Sequence, residues 1–170
     1  MKTRQKDRDI PGPSAPWNEI RQHLWMGGHF WTDSEGHLQP AVVRSEFDLV
    51  ISLYARNGHG PDPGVEHLVA EMPDGVLTAD QIHMVTQLAH ITATAVRDGR
   101  TVLVRCQSGY NRSGLVIAQT LVVLGQGAES AIDLVRRRRS PWALNNETFE
   151  QYLTAGLDIA YLLTGLEAST

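Results

Sequence analysis

The only cysteine of the chain, Cys106, begins a loop whose composition is suited to binding an oxyanion. Residues 106–113 read Cys-Gln-Ser-Gly-Tyr-Asn-Arg-Ser, between the short β-branched run 101–104 and the apolar helical pattern 114–118. The pattern predicts a strand-to-helix turn at the cysteine. At such a turn the N–H groups of a glycine-containing loop and of the new helix point inward, which favours a bound anion and a thiolate.

Two side chains of this loop add to the predicted anion site. Arg112 carries a planar guanidinium able to hold two oxygens of a tetrahedral oxyanion, and Ser113 places a hydroxyl within reach of the sulfur. The residues between them and the cysteine are predicted to bind the phosphate group together with Arg112, and they are Gln107, Ser108, Gly109, Tyr110 and Asn111. A predicted nucleophile and the groups predicted to bind phosphate thus share one loop, residues 106–112, which we call the phosphate loop.

The order Cys, five residues, Arg, Ser, with Gly in the middle, resembles the signature of the cysteine-dependent protein tyrosine phosphatases. The resemblance extends to the dual-specificity branch: residues 19–28 are similar to its opening strand and Gly turn, 48–53 to its second strand, and 144–149 to the start of its final helix. It covers roughly residues 17–163. It implies that Cys106 attacks phosphorus, that Arg112 binds the phosphate, and that Ser113 assists release of the sulfur.

A phosphatase of this kind also needs an acid that protonates the leaving group. In the resembling family the acid is an aspartate on a mobile loop about thirty residues before the cysteine, and Asp74 in Pro-Asp-Gly matches that position. The same tripeptide is also a turn sequence in its own right. Asp80 is the competing candidate, although its place in a capping box already gives its carboxylate a role at a helix start.

Two positions near the loop invite a structural as well as a functional interpretation. The family usually has His before the cysteine, and here Arg105 stands there, so the rigidity of the loop is open. Strand alternation places Arg105 on the face opposite Cys106, where we expect a carboxylate partner for it, either in a structural ion pair or contributing directly to the thiolate. Asn145 is expected to cap the final helix or, as the resemblance implies, to brace the phosphate loop.

Length and composition predict one α/β domain over residues 17–170. The 170 residues are 42% hydrophobic, enough for a single core. Residues 1–16, with four Lys or Arg and three Pro, are predicted to be a mobile N-terminal arm. The expected fold is a central, mixed and mostly parallel sheet flanked by helices, with the phosphate loop between a central strand and a helix.

Local patterns place the remaining elements. A capping box at 78–81 opens a long helix that Gly99 ends, and further helices are expected over 113–124, 128–139 and 146–164. Residues 57–64 are rich in Gly and Pro and predict a loop at the edge of the sheet. The run of four arginines at 136–139 is expected to be mostly solvated, with at most one or two side chains directed toward the active site.

The composition also bounds the partners and the compartment. A single cysteine and a charged, proline-containing start favour a reducing cytoplasm, and the net charge of −4 argues against general nucleic-acid binding. The apolar run 115–124 is too short to span a bilayer, so no stable membrane association is expected. The spacing of His83 and His90 is not that of metal ligands, so we expect no metal and no cofactor. The sequence does not indicate the oligomeric state.

The sequence therefore predicts a protein phosphatase that hydrolyses phosphotyrosine, with or without phosphoserine and phosphothreonine, through a phosphocysteine intermediate. Two alternatives stay open: a phosphoinositide or other small-molecule phosphatase on the same scaffold, and a phosphopeptide-binding module without catalysis. The lipid alternative is weakened because the loop's side chains before Arg112 are uncharged, whereas phosphoinositide members of the resembling family carry extra Lys or Arg. The expected partner is a phosphorylated protein.

Overall fold

A five-stranded mixed sheet forms the centre of the molecule. The computed structural model describes residues 10–169. The strands of the chain are β1 Trp17–Arg21, β2 Leu24–Gly27, β3 Phe30–Thr32, β4 Leu38–Pro40, β5 Leu49–Ser52, β6 Glu66–Val69 and β7 Val102–Arg105. The main sheet has the order β1-β2-β7-β5-β6; β1 pairs antiparallel with β2, and the other pairs are parallel. The strand before Cys106 is therefore the central one, as predicted.

The helices agree with the sequence prediction except at one break. They are α1 Ala79–Arg97, α2 Arg112–Val123, α3 Ala128–Arg138, α4 Glu147–Ala155 and α5 Leu157–Ala168. The predicted capping box is present: Thr78 accepts a hydrogen bond from the N–H of Gln81, and the Gln81 side chain accepts one from the N–H of Thr78. The single helix predicted over 146–164 was wrong, because Gly156 adopts φ 99° and separates α4 from α5.

The two faces of the sheet are covered differently. Alternation along β7 directs Val102 and Val104 into the main core, which all five helices share, and Leu103 to the other face. That second face is closed by a smaller cluster from strands and loops, made of Val43, Phe47, Val50 and Leu103 with Trp17, Trp25 and Val65 against it. The phosphate loop leaves the sheet toward the helical side. Within residues 10–169, none of the helices is long and apolar enough to cross a membrane.

Arg105 lies on the second face, and the prediction of a carboxylate partner was wrong as far as residues 10–169 are concerned. The side chain is 1% exposed. Its Nε donates to the hydroxyl of Ser52, Nη1 to the carbonyl of His59 and Nη2 to the carbonyl of Gly60. Burial lowers the pKa of Arg105 to about 10, so it stays charged at neutral pH. Because neutral oxygens satisfy its donors, the residue ties the loop 57–64 to the sheet.

Residues 10–16 lie on the body of the domain, and we call them the entrance segment. The carbonyl of Pro13 accepts a hydrogen bond from the N–H of Thr32 at 2.8 Å, and that of Pro16 accepts one from the N–H of Gly28. The sequence prediction included these residues in a mobile arm over 1–16. Its first nine residues lie outside the described part of the chain.

Candidate active site

The structure brings Cys106, which begins the loop between β7 and α2, close to Ser113 in the first turn of α2. The Cys106 side chain is 2% exposed, and its Sγ lies 3.3 Å from the Oγ of Ser113. The helix α2 begins with Asn111 in the N-cap position, and the Asn111 side chain makes no capping hydrogen bond there. The first N–H groups of α2 are thus left for a ligand, and no acidic residue in the first turn of the helix competes with an anion.

The loop is packed tightly against the end of β2, and this requires glycine on both sides. A Cβ on Gly28 would lie 2.7 Å from the carbonyl oxygen of Gln107. Gly109 has φ 78°, and a Cβ there would lie 2.6 Å from the carbonyl oxygen of Gly27. The N–H of His29 donates to the carbonyl of Gln107 at 2.8 Å. These contacts direct loop carbonyls toward β2, away from a bound anion.

Arg112 retains unpaired donor capacity at the site. Its Nη1 donates to the carbonyl of Met72 at 3.3 Å, and the guanidinium carbon lies 5.5 Å from the centre of the Tyr54 ring. Its Nε is buried and has no hydrogen-bond partner among the described residues. A buried guanidinium nitrogen is rarely left without an acceptor, so this donor is suited to a ligand oxygen.

Asp74 lies at the same pocket, held by two asparagines. Its Oδ2 accepts from Nδ2 of Asn111 at 3.0 Å, and its Oδ1 accepts from Nδ2 of Asn146 at 2.8 Å. The loop 72–75 is therefore tied both to the phosphate loop and to the start of α4. Asp80, the competing candidate, stands in the first turn of α1 and does not line the pocket.

The side chain of Asn111 is occupied by structural contacts. Besides Asp74, its Nδ2 donates to Oδ1 of Asn145 at 3.3 Å, and its Oδ1 accepts from the N–H of Asn146 at 3.0 Å. Asn145 thus braces the phosphate loop, which was one of its two expected roles. The capping alternative was wrong by one residue, because Asn146 is the N-cap and accepts from the N–H of Phe149.

One of the four consecutive arginines, Arg139, is buried and braces the phosphate loop. It is 8% exposed, and its guanidinium donates to the carbonyls of Ser108, Gly109 and Ala15 and to Oδ1 of Asn18. Burial lowers the pKa of Arg139 to about 10, while the charges of Tyr110 and Cys106 oppose the shift. Arg139 therefore adds a positive charge close to the sulfur.

The other arginines of the run are placed as the periodicity predicts. Arg137 and Arg138 are exposed. Arg136 is half-buried and donates to the carbonyls of Ala143 and Leu144, and to Glu150. One of the four thus contacts the phosphate loop, within the one or two expected. The donors of Arg139 bind oxygens of the protein itself, so this side chain makes no direct contact with an acidic substrate.

Two buried histidines, His29 and His59, contact each other near the end of β2. Nε2 of His29 lies 2.7 Å from the carbonyl of Tyr54, and Nδ1 lies 3.2 Å from Nδ1 of His59. Since a carbonyl only accepts, His29 carries its proton on Nε2 and accepts at Nδ1. Burial lowers the pKa of His29 to about 4, aided by the charge of Arg105. Between about pH 6.5 and 4 the unfolded chain binds more protons, so stability falls as the pH falls through that window.

A pocket of about 370 Å³ opens at the phosphate loop. Its polar side is formed by Asp74 and by residues of the phosphate loop, among them Arg112. Its apolar side comes from the entrance segment and from the β3–β4 hairpin. The sequence analysis missed Asn146 and the entrance segment as parts of this site, and it did not single out Arg139 from the four arginines. The local signal for Asn146 was the Asn-Asn pair before α4, which marks a helix start without saying what else it binds.

Comparisons with known proteins agree on the fold. Human DUSP28 superposes with a TM-score of 0.66 at 19% identity, covering 88% of this chain and 99% of that one. Tk-PTP in its active form gives 0.58 at 21% identity, covering 82% and 95%. OH1 from the Orf virus, a tyrosine phosphatase with triple substrate specificity, gives 0.57 at 14% identity, covering 88% and 91%. Neither protein-family profiles nor curated sequences match this chain.

The chain therefore has the single-domain α/β fold of the dual-specificity and tyrosine phosphatases. The resemblance inferred from residues 106–113 is confirmed at the level of the fold, including the phosphate loop between the central strand and a helix.

Proposed function

We propose that this protein is a cysteine-dependent phosphatase that hydrolyses phosphotyrosine in proteins, with or without activity on phosphoserine and phosphothreonine. The observation that supports it best is the loop itself, where the Sγ of Cys106 lies 3.3 Å from the Oγ of Ser113. The residue before Ser113 is Arg112, whose buried Nε has no hydrogen-bond partner among the described residues. A thiol in an inert core would have no need of a neighbouring arginine whose buried Nε lacks a partner among the described residues. The fold shared with known phosphatases adds independent support.

In the first step the thiolate of Cys106 attacks phosphorus, and the bond between phosphorus and the ester oxygen breaks. The free N–H groups at the start of α2 and the Nε of Arg112 bind the non-bridging oxygens, whose charge increases in the transition state. The positive charge of Arg139 and the helix N-terminus also attract the anionic phosphate group to the loop. The product of this step is a phosphocysteine and the leaving alcohol.

Asp74 supplies the proton that the leaving oxygen needs. It lines the pocket with the phosphate loop, and the two asparagines that hold its carboxylate keep it at the edge of that loop. In the second step the carboxylate takes a proton from water, whose oxygen attacks phosphorus and releases the sulfur of Cys106. The hydroxyl of Ser113 donates a hydrogen bond to the departing thiolate and so assists this step.

The test is turnover by the purified full chain. Phosphotyrosine and phosphoserine peptides of identical flanking sequence are compared with phosphoinositide vesicles, with and without a chelator. Cys106→Ser is expected to abolish turnover and retain phosphate binding, because the cradle of N–H groups and Arg112 is intact. Ser45→Ala, at an exposed loop position, is the control for a mild substitution. Full activity of Cys106→Ser, or loss of wild-type activity with chelator, would contradict the proposal.

The same panel separates the proposal from its alternatives. Selective hydrolysis of the vesicles would support a lipid phosphatase, and binding of phosphopeptide without turnover would support a binding module. We further propose a reducing, cytoplasmic setting, because the single Cys106 has no second cysteine in the chain that could rescue its oxidised form through a disulfide.

A further inference from the structure

We propose that the entrance segment and the β3–β4 hairpin form an apolar wall that selects aryl over alkyl phosphomonoesters, so that the preferred substrate is phosphotyrosine. The inference rests on the proposed function, because it concerns the leaving-group side of the same pocket. The wall side chains are Ile10, Pro13, Phe30 and Leu38. None of them was a candidate from the sequence.

The hairpin places its part of the wall by strand geometry. Phe30 and Thr32 are two residues apart on β3 and so share a face, and Leu38 lies directly opposite Thr32 on β4. All three line the pocket. Leu38 is 69% exposed, so its apolar surface at the pocket is available to a substrate. The ring of Phe30 is contacted by Arg56, whose guanidinium carbon lies 4.7 Å from the ring centre.

The entrance segment is anchored to the catalytic loop itself. The hydroxyl of Tyr110 donates to the carbonyl of Pro11 at 2.7 Å, and Nη1 of Arg139 donates to the carbonyl of Ala15 at 2.8 Å. The hairpin adds the hydrogen bond from Thr32 to Pro13. Because these anchors reach from both the phosphate loop and the hairpin, Ile10 and Pro13 are positioned relative to the site of attack.

The pocket has the size and character for an aromatic leaving group. Its volume of about 370 Å³ exceeds that of a cavity of about 150 Å³ that holds a benzene ring. A phenyl ring placed beside the phosphate would bury apolar area against the wall, whereas a serine or threonine side chain has little such area to bury. The acid Asp74 lies in the same pocket, where the ester oxygen of either substrate would need it.

Binding of two non-hydrolysable probes tests the wall. Phenylphosphonate and methylphosphonate differ only in the group that would meet it, and their affinities for the full chain are measured by calorimetry. We expect the phenyl compound to bind about tenfold more tightly. Leu38→Ser and Ile10→Ser together should remove most of that preference while leaving methylphosphonate affinity within about twofold. Leu163→Ser, an exposed leucine of α5, is the matched control.

A second variant tests the anchor. Tyr110→Phe removes only the hydroxyl that holds the entrance segment, so the phenyl preference should fall about threefold or more, and in turnover the change should appear in KM rather than kcat. The phosphotyrosine-to-phosphoserine ratio of kcat/KM should fall in parallel. An unchanged preference for phenylphosphonate over methylphosphonate in both variants would refute the proposed apolar wall. Absence of turnover by the wild type with the phenyl preference intact would instead contradict the proposed function.

Discussion

Replacement of Arg139 by methionine should destabilise the fold and weaken the active site together. The change removes a buried guanidinium that donates to four oxygens, two of them carbonyls of the phosphate loop, while the methionine keeps most of the apolar stem. Arg138 offers a matched control. It is the neighbouring arginine, and its side chain is exposed.

The magnitude follows from two opposing contributions at Arg139. Lowering of its pKa to about 10 by burial corresponds to a desolvation cost of about 3 kcal/mol for the charged form. Four hydrogen bonds from a charged donor, at about 1.5 kcal/mol each, contribute about 6 kcal/mol. The net stabilisation is about 3 kcal/mol, which the methionine variant loses.

Urea denaturation measures the first effect. Arg139→Met should lower the free energy of unfolding by about 3 kcal/mol, and the midpoint of thermal unfolding by about 6 to 12 °C, whereas Arg138→Met should stay within about 0.5 kcal/mol of the wild type. Arg139→Lys keeps the charge but not the planar fork, so it should recover only part of the loss.

Activity and phosphate binding measure the second effect. Without Arg139, the carbonyls of Ser108 and Gly109 lose their anchor and the loop N–H groups are less well oriented, so kcat/KM should fall about 10- to 100-fold, with a parallel loss of phosphate affinity. Loss of stability with unchanged kcat/KM would show that Arg139 only supports the fold. Unchanged stability and activity would refute the reasoning entirely.

Three further predictions concern single groups at or near the site. Asp74→Asn should lower kcat by about 10²- to 10⁴-fold, with a smaller loss on an activated aryl phosphate that needs little protonation; an equal loss on both substrates, or a larger effect of Asp80→Asn, would argue against this acid. Iodoacetate should alkylate Cys106 and abolish any turnover, and phosphate should slow the alkylation; an equal rate with and without phosphate would mean that no anion cradle surrounds the sulfur. Lowering the pH from 7 to 5 should reduce the free energy of unfolding by about 1 to 3 kcal/mol, because His29 binds a proton in the unfolded chain but not in the folded one. His29→Gln should flatten this dependence relative to the wild type and to the exposed control His37→Gln, leaving the smaller part that His59 and His67 contribute in the same direction; identical slopes would disprove the assignment.

The residues that we propose to react could be identified from the sequence because they lie close together in the chain. Cys106, Arg112 and Ser113 are joined by one strand-to-helix turn, and the strand and the helix on either side of it are predicted from the residues next to them. The capping box at Thr78 and Gln81 is equally local, and it was predicted correctly. Gly156 shows the limit of this reasoning. A single glycine inside a helical pattern costs only about 1 kcal/mol, so periodicity alone does not reveal a break there.

The supports of the loop were decided by tertiary structure. Four adjacent arginines look alike in sequence, and only the packing of α3 against α2 and β1 determines that Arg139 points inward. Its acceptors Ala15 and Asn18 lie more than a hundred residues away. Arg105 shows the same dependence, because a buried guanidinium needs oxygen acceptors but nothing in its neighbours says whether these are carboxylates or carbonyls.

The entrance segment is also positioned by tertiary structure. Residues 10–16 are rich in proline and carry no periodic pattern, so by composition they resemble a free arm. Their carbonyls find donors in Tyr110, Thr32 and Arg139 only once the phosphate loop, the hairpin and α3 are in place. The groups that we propose to react lie in one local turn, because neighbours in the chain are neighbours in space. The groups that orient them and shape the substrate's path come from distant segments, whose meeting depends on the packing of the whole domain.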